Sequence, residues 1–365
     1  TWWGRSQALR TLDSLIWDVA FGDTAFGDVA SVGPAASAHP GSQTLGAGKN
    51  RPMTGSGSQG LGEGVRQKVL ICHDPTLDLT RAAVATGAPV VFCDSDFARS
   101  QEASAMGAEI AGEVRLDEYL AGASGSAVAV GEMPKSLARL DYVARSIAGA
   151  GFDDVRVVLG ANNKHLARSM NTVLGESFTD VAASLGRGKF RCLVASGPRE
   201  VAYAPSLGDG LVAVGGVFSG AKPDRGGELL RSCLPAEPGR LLDLGCGNGS
   251  VTRGMGGVAT DADADAVLSA RAIGLEATWD DAGLRLPDAS FDTIALNPPF
   301  HDGTTVDATL VQHLLDASVR LLAPGGALYV VHNSHLRYRS EVERRFASVE
   351  QVARDRTFTV LRASR

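Results

Sequence analysis

The chain has 365 residues, enough for two domains that each bury a core of their own. Its formal net charge of −6 argues against a surface coated for indiscriminate nucleic-acid binding and leaves only a local basic face for such a partner. Five scattered cysteines without a C-x-x-C pair argue against a disulfide framework or zinc site, and no apolar run reaches membrane-span length, so a cytoplasmic, metal-free monomer away from membranes is expected.

Residues 1–64 read as an N-terminal extension and a Gly/Ser/Pro-rich linker, and Thr1 at the start implies that residues precede it. Leu9, Leu12, Leu15, Ile16 and Val19 recur at helical spacing, which predicts a packing helix over 8–20. A βα rhythm fills 65–215, with strands expected at Lys68–Cys72, Pro89–Asp94, Ala127–Val130 and Val155–Gly160 and a helix near Leu79–Thr86. After a joint at Gly215-Gly216, residues 216–365 repeat the rhythm. A helix is expected over 224–234, then strands at Arg240–Leu244, Gly257–Asp261, Glu276–Trp279, Phe291–Leu296 and Ala327–Val331, and a closing pair at Val349–Val352 and Phe358–Arg362. Alternation of this kind implies parallel sheets covered on both faces, the second with an antiparallel terminal hairpin. Strand-then-acid recurs at Asp94 and Asp261, and strand-then-proline at Met133-Pro134 and Asn297-Pro298. The fold class expected is therefore α/β, two tandem doubly wound Rossmann-like domains that look like a duplication.

Asn297-Pro298-Pro299-Phe300 ends the apolar run Phe291–Leu296. Prolines lack N–H groups, so the chain must leave the sheet there, at the C-terminal strand edge where open α/β sheets bind ligands. Two acceptors without a donor between them, the Asn297 side-chain oxygen and the Pro298 carbonyl, suit the two hydrogens of a planar exocyclic NH2; the same tripeptide is also an ordinary strand-ending turn. Asp243-Leu244-Gly245-Cys246-Gly247-Asn248-Gly249 follows the first strand of the second half, and its alternate glycines allow a tight turn and close ligand approach. G-x-G-x-G is one residue tighter than the dinucleotide fingerprint and suits a carboxylate and a sulfonium better than a pyrophosphate. Asp261 ends the next strand, where a carboxylate accepts both hydroxyls of a ribose or simply solvates a turn. Of Asp280 and Asp281, the latter is placed to reach an adenine amino group.

These motifs, in this order and with Ala323-Pro324-Gly325-Gly326, resemble a class I S-adenosylmethionine-dependent methyltransferase acting on an exocyclic amine. Phe300-His301 after the two prolines, Val217-Phe218-Ser219 upstream, Asn333-Ser334-His335 and the Phe358–Arg362 ending resemble the bacterial ribosomal RNA guanine-N2 methyltransferases. The resemblance covers roughly residues 65–365. It implies S-adenosylmethionine as cofactor, held by Asp243, Gly245, Gly247, Asn248, Gly249, Asp261, Asp281 and Phe218. It further implies catalysis by Asn297 and Pro298, with Phe300 stacked on the base, and ribosomal RNA or a ribosomal subunit as partner. Residues 216–365 are then the catalytic domain. Residues 65–215 are a degenerate methyltransferase-like domain for RNA recognition, in which Glu132-Met133-Pro134-Lys135 stands in place of the catalytic tetrad and Cys72–Asp78 contains no glycine.

One departure affects the cofactor side. Only Ser250–Gly256 separates the glycine loop from the second strand, where the fold places a full helix, and residues missing from this segment are the expectation. The other readings left open are adenine N6 in DNA, a protein glutamine amide, or a non-catalytic RNA-binding relic.

Overall fold

The computed structural model describes residues 9–22, 67–299, 305–336 and 338–364. The linker expected over 31–64, Phe300, His301 and Arg337 lie outside the described residues. The first half contains α1 (Thr11–Phe21), β1 (Lys68–His73), α2 (Asp78–Ala85), β2 (Val90–Phe92), α3 (Phe97–Ala105), β3 (Glu109–Ile110), α4 (Leu116–Tyr119), β4 (Ser126–Glu132), α5 (Leu137–Ala148), β5 (Asp154–Asn162), α6 (Arg168–Ser177), β6 (Phe178–Ala183) and β7 (Phe190–Pro198). A small hairpin, β8 (Ser206–Gly208) and β9 (Leu211–Ala213), leads into the second half. There follow α7 (Arg225–Cys233), β10 (Leu241–Leu244), β11 (Val258–Asp261), α8 (Ala264–Ala272), β12 (Glu276–Trp279), β13 (Phe291–Leu296), α9 (Thr305–Leu321), β14 (Leu322–Asn333), α10 (Arg339–Glu343), β15 (Ser348–Arg354) and β16 (Phe358–Ser364).

The two seven-stranded sheets have the same order, β3-β2-β1-β4-β5-β7-β6 and β12-β11-β10-β13-β14-β16-β15, so the duplication is complete at the level of topology. In each, five parallel strands are followed by two that are joined by antiparallel pairings, of which β7 and β16 run against the rest. The antiparallel edge expected only of the second half is thus present in both. Strand order reverses between β1 and β4 and between β10 and β13, which opens a crevice at the C-terminal edge of each sheet. Continuous apolar runs form the central strands: all four residues of β10 and five of the six in β13 are buried. The helix expected over 8–20 is α1, and Leu12, Leu15 and Ile16 pack it into the core formed with β1, β4 and β5.

The crossover from β10 to β11 closes with the residues present. Residues 245–257 close it as turns, with Arg253 N donating to Gly249 O at 3.1 Å and Met255 N to Thr252 O at 3.0 Å, and β11 still pairs parallel to β10 through Leu242 and Val258. The sheet face that lacks a crossover helix is covered by α7, whose Leu230 packs with Val251, Ala295 and Tyr329.

The halves are joined through equivalent loops. The loop after β2 and the loop after β11 form an antiparallel bridge at Asp96 and Asp263, in which Phe97 N donates to Ala262 O at 2.9 Å and Ala264 N to Ser95 O at 2.8 Å. The Trp279 indole N–H reaches both Ser95 O and Ala262 O, and its ring lies so close to Gly112 that a side chain there would collide with it. Arg139 of α5 crosses the joint to Asp265 Oδ1 and also donates to Cys93 O of its own half.

Candidate active site

The chain folds so that the glycine loop, the β11 acid and the turn after β13 meet in one cavity of about 410 Å³, a volume ordinary for a small-molecule site. Gly245, Gly247, Asp261, Asp281, Phe218, Asn297 and Pro298 all line it. Gly245 and Gly247 have φ of 78° and 53°, a left-handed backbone that favours glycine, and a Cβ on either would enter open space. The loop therefore leaves a cradle at the strand edge. Gly247 N donates to Asp261 Oδ2 at 2.8 Å and Asp263 N to Oδ1 at 2.9 Å, which fixes the carboxylate across the mouth of that cradle.

Burial, with Asp263 nearby, pushes the Asp261 carboxyl up to about 7. A polyhydroxyl or cationic ligand that accepted this carboxylate's charge would draw it back down. Open glycines, a fixed acid at the end of the next strand, and Asp281 beyond fit S-adenosylmethionine as the group the cavity would hold.

Three residues of the expected cofactor set stand behind the cavity instead of in it. Asp243 is buried, accepts from Thr252 Oγ1 at 2.7 Å, and is raised to about 6 by that burial. Asn248 Nδ2 donates to Gly220 O and Lys222 O, both at 2.8 Å, and its Oδ1 accepts from Ser250 N, so its amide ties the loop to the segment that enters α7. Gly249 is packed against Leu275 and Ile273, with no room for a side chain. All three shape the loop from its far side.

Asn297 leaves β13 with its side chain half-buried, followed by buried Pro298 and exposed Pro299. Its Nδ2 donates to Asp224 Oδ2 at 3.1 Å, and the same Asp224 oxygen accepts from Gly227 N at 3.0 Å as the N-cap of α7. Asp224, Asn333 and Phe358 also line the cavity; Asn333 and Phe358 entered the sequence reading only as carriers of the family resemblance, and Asp224 only as the start of an expected helix. The signal for Asp224 was present in its place at the start of the expected helix, but a capping role alone accounts for an Asp there. Phe218 is 67% exposed, an apolar ring presented at the cavity wall. Asp281 is paired at 3.0 Å with His313 of α9.

The corresponding place in the first half is closed. Asp94 accepts from Arg99 Nε and Nη2 at 3.1 and 2.9 Å and meets His73 Nδ1 at 3.0 Å. Against the penalty of burial, these partners hold Asp94 well below the usual carboxylate range. The first-half counterpart of Asp261 is thus ionised and ion-paired within its own domain.

Comparison with known proteins agrees with this geometry. Residues 210–362 match the family model of the methyltransferase small domain. A ribosomal RNA large subunit methyltransferase G of Pseudomonas syringae is 34% identical over 259 residues, 63% of this chain and 69% of the relative. The chain belongs to the bacterial ribosomal RNA methyltransferase family. A relative of the same name from Shewanella amazonensis is 30% identical over 233 residues, 57% of this chain and 61% of the relative. Among solved structures, a T. thermophilus 16S rRNA N2 methyltransferase in complex with AdoMet and guanosine superposes with a TM-score of 0.67 at 23% identity, covering 84% of this chain and 90% of that one, which establishes the shared two-domain fold. Family members use S-adenosylmethionine, in accord with the cradle at Gly245 and Gly247. Among the described residues no helix is long and apolar enough to cross a membrane, and no group of three or more metal-capable side chains converges.

Proposed function

We propose that the chain transfers a methyl group from S-adenosylmethionine to the exocyclic N2 amine of a guanine in ribosomal RNA. The observation that carries this reading is the Asn297 amide, held by Asp224 at 3.1 Å on the wall of the same cavity as the glycine cradle and Asp261. When bound, the cofactor supplies an electrophilic methyl on sulfur. Asp261 would take the ribose hydroxyls and Asp281 the adenine edge, and Gly245 and Gly247 would let the backbone come close.

A guanine amine is a poor nucleophile because its lone pair is delocalised into the ring. Asn297 Oδ1 and the Pro298 carbonyl accept its two hydrogens, which favours the pyramidal amine and points its lone pair toward the methyl. This is catalysis by orientation and electrostatics, without a strong base. The proton released on alkylation goes to solvent. Phe300 would stack on the base, which must leave its helix to enter. Residues 65–215 would grip the RNA by shape and phosphate.

The family names of the relatives and the guanosine-bound solved neighbour support a ribosomal RNA target over DNA or protein. Incubation with methyl-labelled cofactor and ribosomal particles, double-stranded DNA or bulk protein tests it. Label should enter the ribosomal RNA fraction alone; label confined to DNA or protein would sink the reading.

A further inference from the structure

The duplication repeats more than the sheet. In the second half the last antiparallel pair between β14 and β16 is Asn333 opposite Phe358, and both side chains line the active-site cavity. In the first half the last pair between β5 and β7 is Asn162 opposite Phe190. These two line a second cavity, about 900 Å³, whose wall continues through Met133, Pro134 and Lys135. Buried Pro134 stands two residues beyond the end of β4, as buried Pro298 stands two residues beyond the end of β13. Counted from the matched Asn162 and Asn333, the pairing registers place Glu132, opposite Gly160, where the second half has Asn297, the residue after Leu296 opposite Val330.

The first half has thus lost the cofactor side of the fold, where Arg99 and His73 occupy Asp94, and kept the substrate side. The Asn297 amide has been replaced by Glu132, whose carboxylate is held by Arg10 at 2.6 Å, so the chemistry is gone while the shape remains. A cationic rim is present as well. Lys135, His165 and Lys189 are exposed at this cavity, and among the described residues none of them has a carboxylate partner. Lys189 Nζ stands 5.4 Å from the Phe190 ring centroid, so a cation and an aromatic surface are offered side by side. Arg10, also in the wall, is held by Asp13 and Glu132. A half-buried aromatic, an amide and a proline surrounded by cations match a nucleobase with its phosphate.

We propose that this cavity is a second, non-catalytic nucleotide site that holds one unpaired nucleotide of the RNA while another is methylated in the second half. The inference rests on the proposed RNA substrate. A methylation partner without RNA would leave the site with no occupant.

The test uses the full chain and a short single-stranded RNA carrying 4-thiouridine. Photocrosslinking of the unaltered chain should place adducts on peptides that carry Met133–Lys135 or Lys189-Phe190; adducts confined to residues 216–365 overturn the proposal. In a parallel binding titration, the double variant Lys135→Glu/Lys189→Glu should lose about tenfold or more in RNA affinity and show a shallower salt dependence, with S-adenosylhomocysteine affinity unchanged. Unchanged RNA affinity overturns the proposal, as does crosslinking of an acidic peptide at this cavity in place of RNA. If RNA is held here but no ribosomal RNA is methylated, the functional reading fails and the site stands. If the variant binds RNA and methylates it as the unaltered chain does, the site alone fails.

Discussion

Asn297 Nδ2 donates to Asp224 Oδ2 across 73 positions of sequence, at 3.1 Å. A carboxylate can only accept, so the amide faces Asp224 with its NH2 group and its oxygen is left for the cavity that both residues line. One side chain thereby sets the sense of the other. Replacing Asn297 by Ala should lower kcat by about 10²–10³-fold, the scale of removing one oriented polar contact to a transition state, and leave the S-adenosylhomocysteine Kd within about twofold. Cofactor affinity lost in step with rate would refute the role.

Asp224→Ala should lower kcat about tenfold through a freely rotating amide, and remove about 1 kcal/mol of stability through the lost cap on α7. Asp224→Asn keeps an oxygen that caps and accepts, so it should recover most of the rate. A rate as low in Asp224→Asn as in Asp224→Ala would show that the negative charge, and not the orientation, is what matters.

With Asp261 on the ribose, as proposed, this acid should set the pH dependence of cofactor binding. Its carboxyl is raised to about 7, chiefly by burial, and the form that accepts two hydroxyls is the ionised one. S-adenosylhomocysteine should therefore bind about tenfold more weakly at pH 6 than at pH 8, and Asp261→Asn should flatten that profile. For the unliganded fold the sign is opposite. A carboxyl raised on folding contributes stability below its ordinary value near 3.8, and that contribution is lost as pH rises through about 7. Calorimetric titration across pH 6–8 checks the first, and thermal melts over the same range the second; a Kd independent of pH would remove the ribose role.

One chain should bind one cofactor. Asp94 is occupied by Arg99 and His73, and Cys72–Asp78 offers no glycine cradle. Titration of the full chain with S-adenosylhomocysteine should give a stoichiometry near one; a value near two would mean the first half is a working site.

Arg139 fastens the joint between the halves through Asp265, whose side chain is only 3% exposed. Arg139→Ala leaves that carboxylate buried without its partner, and should destabilise the chain by about 3–5 kcal/mol. Urea unfolding measures it, and a loss below about 1 kcal/mol would show that the ion pair is not what holds the joint.

The strands of the second half were legible because buried parallel strands read as continuous apolar runs cut by Gly and Pro, as at Phe291–Leu296 before Asn297-Pro298. β6 was not, since an edge strand with exposed Thr179 and Asp180 carries no continuous apolar run. Gly245, Gly247 and Asp261 could be read from spacing along adjacent strands. Asp224 could not, because its contact with Asn297 exists only once α7 has folded across the β10 turn. Asn248 misled for a related reason: an amide in a glycine loop looks like a ligand contact, and here it is spent on the Gly220 and Lys222 carbonyls. Part of the joint between the halves is made by backbone groups of Ser95–Phe97 and Ala262–Ala264, which no side-chain pattern announces.

The central claim is that the Asn297-Pro298 turn presents acceptors to a guanine amine. Ribosomal RNA methylated by the purified chain, digested to nucleosides and analysed by mass spectrometry against standards, tests it most directly. The account predicts N2-methylguanosine as the sole new nucleoside, absent with Asn297→Ala; N6-methyladenosine or a ring-methylated base in its place would contradict it.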